Sequence, residues 1–182
     1  MSSVYKIVFS GPVGAGKTTA IQTLSDIEVV CTEANASDQT RHLKPTTTVA
    51  MDYGLMKLPS GDRVRLYGTP GQKRFDFMWE ILTENALGLV LMLNASAPDP
   101  VDDLKSYVHG FRDFIDKTSL VVGMTHTEDV GPQVRQHIAH ELVRMGLPPC
   151  VLDTDARNRA HMATLVKVLI YGIDPFTGSS QR

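Results

Sequence analysis

Between residues 4 and 171 the chain alternates short apolar runs of strand length with longer stretches whose apolar positions recur at helical spacing. Strand-type runs fall at 4–10, 48–58, 62–67, 88–94, 119–124 and 149–153, and helix-type periodicity at 17–25, 72–85, 100–116, 131–145 and 157–171. Leu89-Val90-Leu91-Met92-Leu93 and Leu120-Val121-Val122-Gly123-Met124 are apolar without alternation, as strands covered on both faces require. Pro59-Ser60-Gly61 joins 48–58 to 62–67 as a hairpin, so one antiparallel edge strand sits on an otherwise parallel sheet. Only 27–45 lacks a period, and a loop of that length is usually functional or disordered. The pattern predicts a three-layer α/β domain over 1–182, with a mostly parallel six-stranded sheet, helices on both faces and a flexible tail at 174–182.

Composition narrows the class without choosing a chemistry. With 182 residues, 42% apolar and 21% charged, the chain fits one globular domain with a proper core. A formal net charge of −2 gives no bulk attraction to nucleic acid or anionic lipid, so no nucleic-acid partner is expected. Cys31 and Cys150 lie far apart without metal-type spacing and read as reduced thiols of a cytoplasmic protein. The most apolar stretch, 87–93, is far short of the roughly 20 residues of a membrane span. Ser2 stands where myristoylation needs glycine, and the C-terminus has no prenylation box. Direct membrane insertion is not expected; a partner would bring the protein to a membrane.

The chemistry begins at Gly11-Pro12-Val13-Gly14-Ala15-Gly16-Lys17-Thr18, which fits G-x-x-x-x-G-K-[ST] between a predicted strand and a predicted helix. Glycines let the backbone wrap a phosphate chain, and N–H groups at the helix start, through Thr19, point at the anion. Lys17 would neutralise the β- and γ-phosphates, and the Thr18 hydroxyl would ligate Mg²⁺. The expected ligand is a nucleoside triphosphate.

A phosphate loop alone does not separate kinases, ATPases, GTPases and synthetases. Further along stand Pro45-Thr46-Thr47-Thr48-Val49-Ala50-Met51-Asp52-Tyr53-Gly54 and Tyr67-Gly68-Thr69-Pro70-Gly71-Gln72. In this order the text resembles switch I and switch II of the Ras-like small GTPases. It is most similar to the bacterial Arf-like gliding-motility GTPases and the conservon-type GTPases that work beside roadblock-family proteins. The resemblance covers nearly the whole chain and implies the P-loop GTPase fold, with GTP or GDP as ligand and Mg²⁺ as cofactor. It places the switch I metal ligand on Thr48, with Thr47 the neighbouring choice. Gly71 would give a backbone N–H to the γ-phosphate, and Gln72 would orient the attacking water. Segments 40–54 and 68–80 would meet a protein effector, with a roadblock-family protein as regulator or activator and the chain itself a monomer or weak dimer.

Three departures bear on this. Gly68 replaces the aspartate that usually holds Mg²⁺ through water, which implies weaker metal affinity. The guanine-specificity text reads Thr125-His126-Thr127-Glu128: Glu128 would accept from guanine, His126 would cover the base, and Thr125 cannot copy an asparagine amide. In Thr154-Asp155-Ala156-Arg157, the Ala156 N–H would reach guanine O6 with Arg157 over the base, or Asp155 would simply cap a helix. Arg41 and Arg74 are candidate arginine fingers, although such arginines are more often surface residues. Two further readings remain open: a nucleotide-dependent binding module with little turnover, and relaxed base specificity that includes ATP.

His109, His137, His140 and His161 have no partnered carboxylate at ligand spacing and read as surface histidines. Of the apolar cluster Phe75, Phe77, Met78, Trp79 and Ile81, most read as core, with Trp79 the best candidate for a partner contact.

Overall fold

A computed structural model describes residues 2–31, 51–71 and 77–172. The elements, in chain order, are β1 (Val4–Ser10), α1 (Lys17–Leu24), β2 (Val30–Cys31), β3 (Asp52–Lys57), β4 (Arg63–Gly68) and α2 (Phe77–Thr83). They continue with β5 (Gly88–Asn94), α3 (Pro100–Gly110), α4 (Arg112–Ile115), β6 (Ser119–Thr125), α5 (Gln133–Arg144), β7 (Val151–Asp153) and α6 (Arg159–Gly172). The sheet order is β2-β3-β4-β1-β5-β6-β7. β4, β1, β5, β6 and β7 run parallel, while β3 is antiparallel to both β4 and β2.

The apolar runs behave as strands buried on both faces. Leu89, Leu91 and Leu93 point into one layer with Leu104, Tyr107 and Ile138. Val90 and Met92 point into the other, against Ile21 of α1 and Leu165 of α6. Local chemistry fixes the ends. Asp99 accepts from Asp102 N at 2.9 Å, and Pro100 opens α3. α5 stops in a Schellman turn, with Leu147 N donating to Leu142 O and Gly146 (φ 74) donating to Val143 O. The 59–61 turn closes on Gly61 (φ 88).

The sheet departs from the expected six strands by one, because the two-residue β2 pairs outside β3. So short a strand carries no readable period. The helix expected over 100–116 is two helices. Phe111 leaves helical geometry (φ −102, ψ 11) and enters the core beneath Trp79, a turn that periodicity cannot register. α2 is described from 77, so the expected start at 72 lies outside the described residues.

Candidate nucleotide site

The loops after β1, β4, β6 and β7 all open at the carboxyl edge of the parallel strands, where doubly wound sheets place ligands. A cavity of about 520 Å³ lies there, within the size range of a cofactor pocket. Its floor is the phosphate loop. Gly16 (φ 95) caps α1 without a side-chain bond, so the first N–H groups of the helix are left for an anion. The positive φ of Gly16 favours glycine, and a Cβ there would also crowd the Ala156 methyl at 3.1 Å.

Lys17 is the electrostatic centre. Its side chain is 8% exposed, and Nζ donates to the carbonyls of Gly11 at 2.6 Å and Pro12 at 2.7 Å. Burial pulls its pKa down to about 8, while the Asp52 carboxylate pushes the other way. A buried cation whose hydrogen bonds among the described residues go to neutral carbonyls is poised for an anion. Gly71 arrives from β4 against this group: a Cβ there would lie 2.7 Å from Val13 N and 3.0 Å from Lys17 Nζ. The buried pair Ser10 and Thr69, hydroxyl to hydroxyl at 2.7 Å, ties the end of β1 to the segment leading to Gly71.

Nothing in the motif text marks Asp52, yet the geometry does. Its Oδ2 accepts from Thr18 Oγ1 at 2.5 Å on the exposed side of the cavity. Strand register puts it there: Lys57 pairs with Arg63, and five residues further on Asp52 pairs with Gly68. A Cβ at Gly68 would meet Ile21 Cδ1 at 2.8 Å and Asp52 Oδ2 at 3.2 Å. Thus a carboxylate of the strand opposite stands beside position 68, and glycine there leaves room for it. A hydroxyl beside a carboxylate is a hard-oxygen donor set suited to Mg²⁺. Asp52→Asn is therefore expected to raise the Mg²⁺ concentration needed for triphosphate binding about tenfold, with less effect on the diphosphate. Titrating Mg²⁺ at fixed nucleotide checks this, and an unchanged Mg²⁺ midpoint would remove Asp52 from the metal shell.

The base end is arranged differently from the motif expectation. Thr125 is buried, and its hydroxyl donates to Ala15 O at 2.9 Å, bracing the phosphate loop rather than facing a ligand. His126 lines the cavity with a positive φ of 55. Ala156 packs on the loop, and its carbonyl accepts from Thr23 Oγ1 at 2.6 Å. Arg157 is held by Asp155 through Nε–Oδ1 at 2.9 Å and Nη2–Oδ2 at 2.8 Å, which lowers Asp155 to about 2. The cap of α6 is Asn158, which accepts from Ala160 N and His161 N, so Asp155 does not cap it. Glu128 is exposed outside the cavity lining, although its charge adds to the attraction on Arg157.

The structure thus gathers Val13, Gly14, Gly16, Lys17, Thr18, Thr19, Gly71 and His126 around one cavity. Thr47, Thr48, Gln72, Arg41 and Arg74 lie outside the described residues. His137 and His140 are exposed, and no cluster of three His, Cys, Asp or Glu residues able to hold a metal occurs among the described residues. Trp79, expected as a partner contact, is 6% exposed, whereas Ile81, at 66%, is an apolar residue that α2 leaves open.

"Uncharacterized protein MJ1339" of Methanocaldococcus jannaschii is 30% identical over 131 residues, spanning 69% of this chain and 76% of that one. The chain belongs to the family of that archaeal protein. No protein-family model matches it. Among solved structures, the bacterial selenocysteine-specific elongation factor EF-Sec superposes with a TM-score of 0.62 at 19% identity over 97% of this chain. The chain spans 30% of that elongation factor's length. The G domain of the T. maritima FeoB iron transporter superposes with a TM-score of 0.61 at 15% identity, over 92% of this chain and 97% of that domain. The fold of this family member is therefore that of a G domain. No helix among the described residues is long and apolar enough to cross a membrane.

Proposed function

We propose that the chain is a small GTPase switch that binds GTP and GDP with Mg²⁺ and hydrolyses GTP slowly. The observation that carries this reading is the meeting of Lys17 Nζ, the Thr18–Asp52 pair and the Gly71 backbone around one cavity. In this reading Lys17 leaves its two carbonyls for the β- and γ-phosphates, and the Gly71 N–H receives the γ-phosphate. Thr18 and Asp52 would hold Mg²⁺, with Thr48 or its neighbour Thr47 as a further ligand. Bound Mg²⁺ would neutralise charge that builds on the phosphates during transfer. Gln72 orients the attacking water, and Glu128 with the Ala156 N–H selects guanine. Segments 40–54 and 68–80 then present the nucleotide state to a protein effector. A roadblock-family regulator, and a place in the gliding-motility and conservon branch, follow from the resemblance of the switch text alone.

A second reading, relaxed base specificity that includes ATP, has its own support. The Thr125 hydroxyl is committed to the phosphate loop and the Arg157 guanidinium to Asp155. The deciding measurement is equilibrium binding of GTP, GDP and ATP with Mg²⁺ to protein stripped of nucleotide, followed by single-turnover hydrolysis. Guanine nucleotides are expected to bind at least about a hundredfold more tightly than ATP, a gap of about 2.7 kcal/mol. Turnover of GTP without a partner is expected on the order of 10⁻⁴ to 10⁻³ s⁻¹. Equal affinity for ATP would overturn guanine specificity, and binding without turnover would leave a nucleotide-dependent binding module.

A further inference from the structure

The cavity between α2 and α3, about 830 Å³, is larger than the nucleotide cavity and stands apart from it. One side chain belongs to both regions. Tyr107 of α3 is 1% exposed, yet its hydroxyl donates to the carbonyl of Gly71 at 3.1 Å. That carbonyl belongs to the glycine whose Cα faces Val13 N and Lys17 Nζ. On its other side the Tyr107 ring stacks on Trp79 of α2, with centroids 5.3 Å apart and planes 26° apart. Trp79 in turn lies nearly parallel to Phe111, 4.2 Å away at 11°. The indole is pressed so closely onto α3 that a Cβ at Gly110 would come within 2.3 Å of it. A rigid aromatic stack therefore runs from α2 to the backbone that borders the Lys17 ammonium.

We propose that Tyr107 is a positioning residue: by anchoring the Gly71 carbonyl its hydroxyl limits the movement of the glycine whose N–H would meet the γ-phosphate, and it couples that glycine to the α2–α3 groove through Trp79. The inference rests on the GTPase reading and names how that site is regulated. Geometry gives the direction of the coupling. The Gly71 carbonyl lies in the peptide unit that leaves this glycine and its N–H in the unit that enters it, so the Tyr107 bond anchors the exit of the backbone from Gly71 and limits how far the glycine can move relative to Lys17. A γ-phosphate that draws Gly71 toward Lys17 pulls on the Tyr107 hydroxyl, and the stack passes the strain to Trp79. Conversely, an occupant of the groove that shifts Trp79 alters the preference for triphosphate. Burial, with Asp103 adding to it, raises the Tyr107 hydroxyl to about 12, so it remains a donor across the physiological range. Trp79 Nε1 is a buried donor with no partner among the described residues, so the indole can shift without breaking a side-chain hydrogen bond.

Tyr107→Phe tests this, because it keeps the ring and the stack and removes only the bond to Gly71. Trp79 is the single tryptophan of the chain, so intrinsic emission reads the α2 end directly. In the wild type, GTPγS is expected to shift Trp79 emission relative to GDP. In Tyr107→Phe, GDP affinity should stay within about twofold while GTPγS affinity falls about fivefold to tenfold, the scale of one hydrogen bond, and the emission difference should be lost. Preserved GDP binding also reports an intact fold. An unchanged ratio of GTPγS to GDP affinity with an unchanged emission shift would overturn the proposal and leave Tyr107 as core packing. A wild-type chain that binds neither nucleotide would sink the GTPase reading first, and the proposal with it.

Discussion

Lys17→Ala is expected to lower triphosphate affinity by at least about a hundredfold, about 2.7 kcal/mol, while leaving the protein folded. The side chain is almost wholly buried, and its only hydrogen-bond partners among the described residues are the Gly11 and Pro12 carbonyls. Neutral acceptors satisfy its protons but do not neutralise its charge, so a phosphate chain is the better partner. The same arrangement predicts a pH dependence of definite sign. In the empty protein Lys17 titrates near 8, below the ordinary 10.5, chiefly because burial disfavours the ammonium. Bound phosphate raises that value, so binding takes up a proton above pH 8 and affinity falls, by up to about tenfold per pH unit. Folding of the empty protein moves the other way: between about 8 and 10.5 the unfolded chain holds more protons, and stability rises with pH. Titration with a fluorescent triphosphate from pH 7 to 9.5 measures the effect. A flat profile would mean that Lys17 does not face the phosphates.

Gly11→Ala is expected to cost about 3 kcal/mol or more of stability and to abolish nucleotide binding. Gly11 has φ 143, and a Cβ there would lie 2.0 Å from the carbonyl oxygen of Met92 in β5. Neither backbone can yield without disturbing the sheet, since β1 pairs with β5 up to Ser10 opposite Leu91. Gly14→Ala is the control. Gly14 also has positive φ, at 81, but nothing lies within 4 Å of the added methyl, so only left-handed strain of about 1 kcal/mol remains. Denaturant midpoints of the two variants separate steric collision from backbone strain. Equal losses would show that the close approach to Met92 is not what demands glycine at 11.

Wherever the energetics were local or periodic, the sequence predicted the structure. Strand runs at 88–94 and 119–124 coincide with β5 and β6 because burial on both faces leaves no alternation to misread. The phosphate loop was legible because its chemistry sits on consecutive residues, where spacing is geometry. The Tyr67 to Gln72 text singled out Gly71, and its backbone lies against Val13 and Lys17. Three features escaped. β2 has two residues and no period of its own. The break at Phe111 depends on what that ring meets across the domain, namely Trp79. Trp79 itself looked like a contact residue, since aromatic character alone cannot distinguish an interface anchor from a buried stack.

By itself, the amino-acid order determined the α/β layering, the glycine loop that carries Lys17 and Thr18, and the turn at 59–61 that joins the hairpin. Those follow from short-range sterics, hydrophobic period and glycine conformations, all written in neighbouring residues. The tertiary structure alone decided that Asp52 stands beside Thr18 and position 68, and that Thr125 braces the Ala15 carbonyl. It alone joined Tyr107 to Gly71 across 36 positions of chain. Each of these is a contact between distant segments whose closeness depends on how the whole sheet twists and packs, and no local rule of residue spacing encodes that.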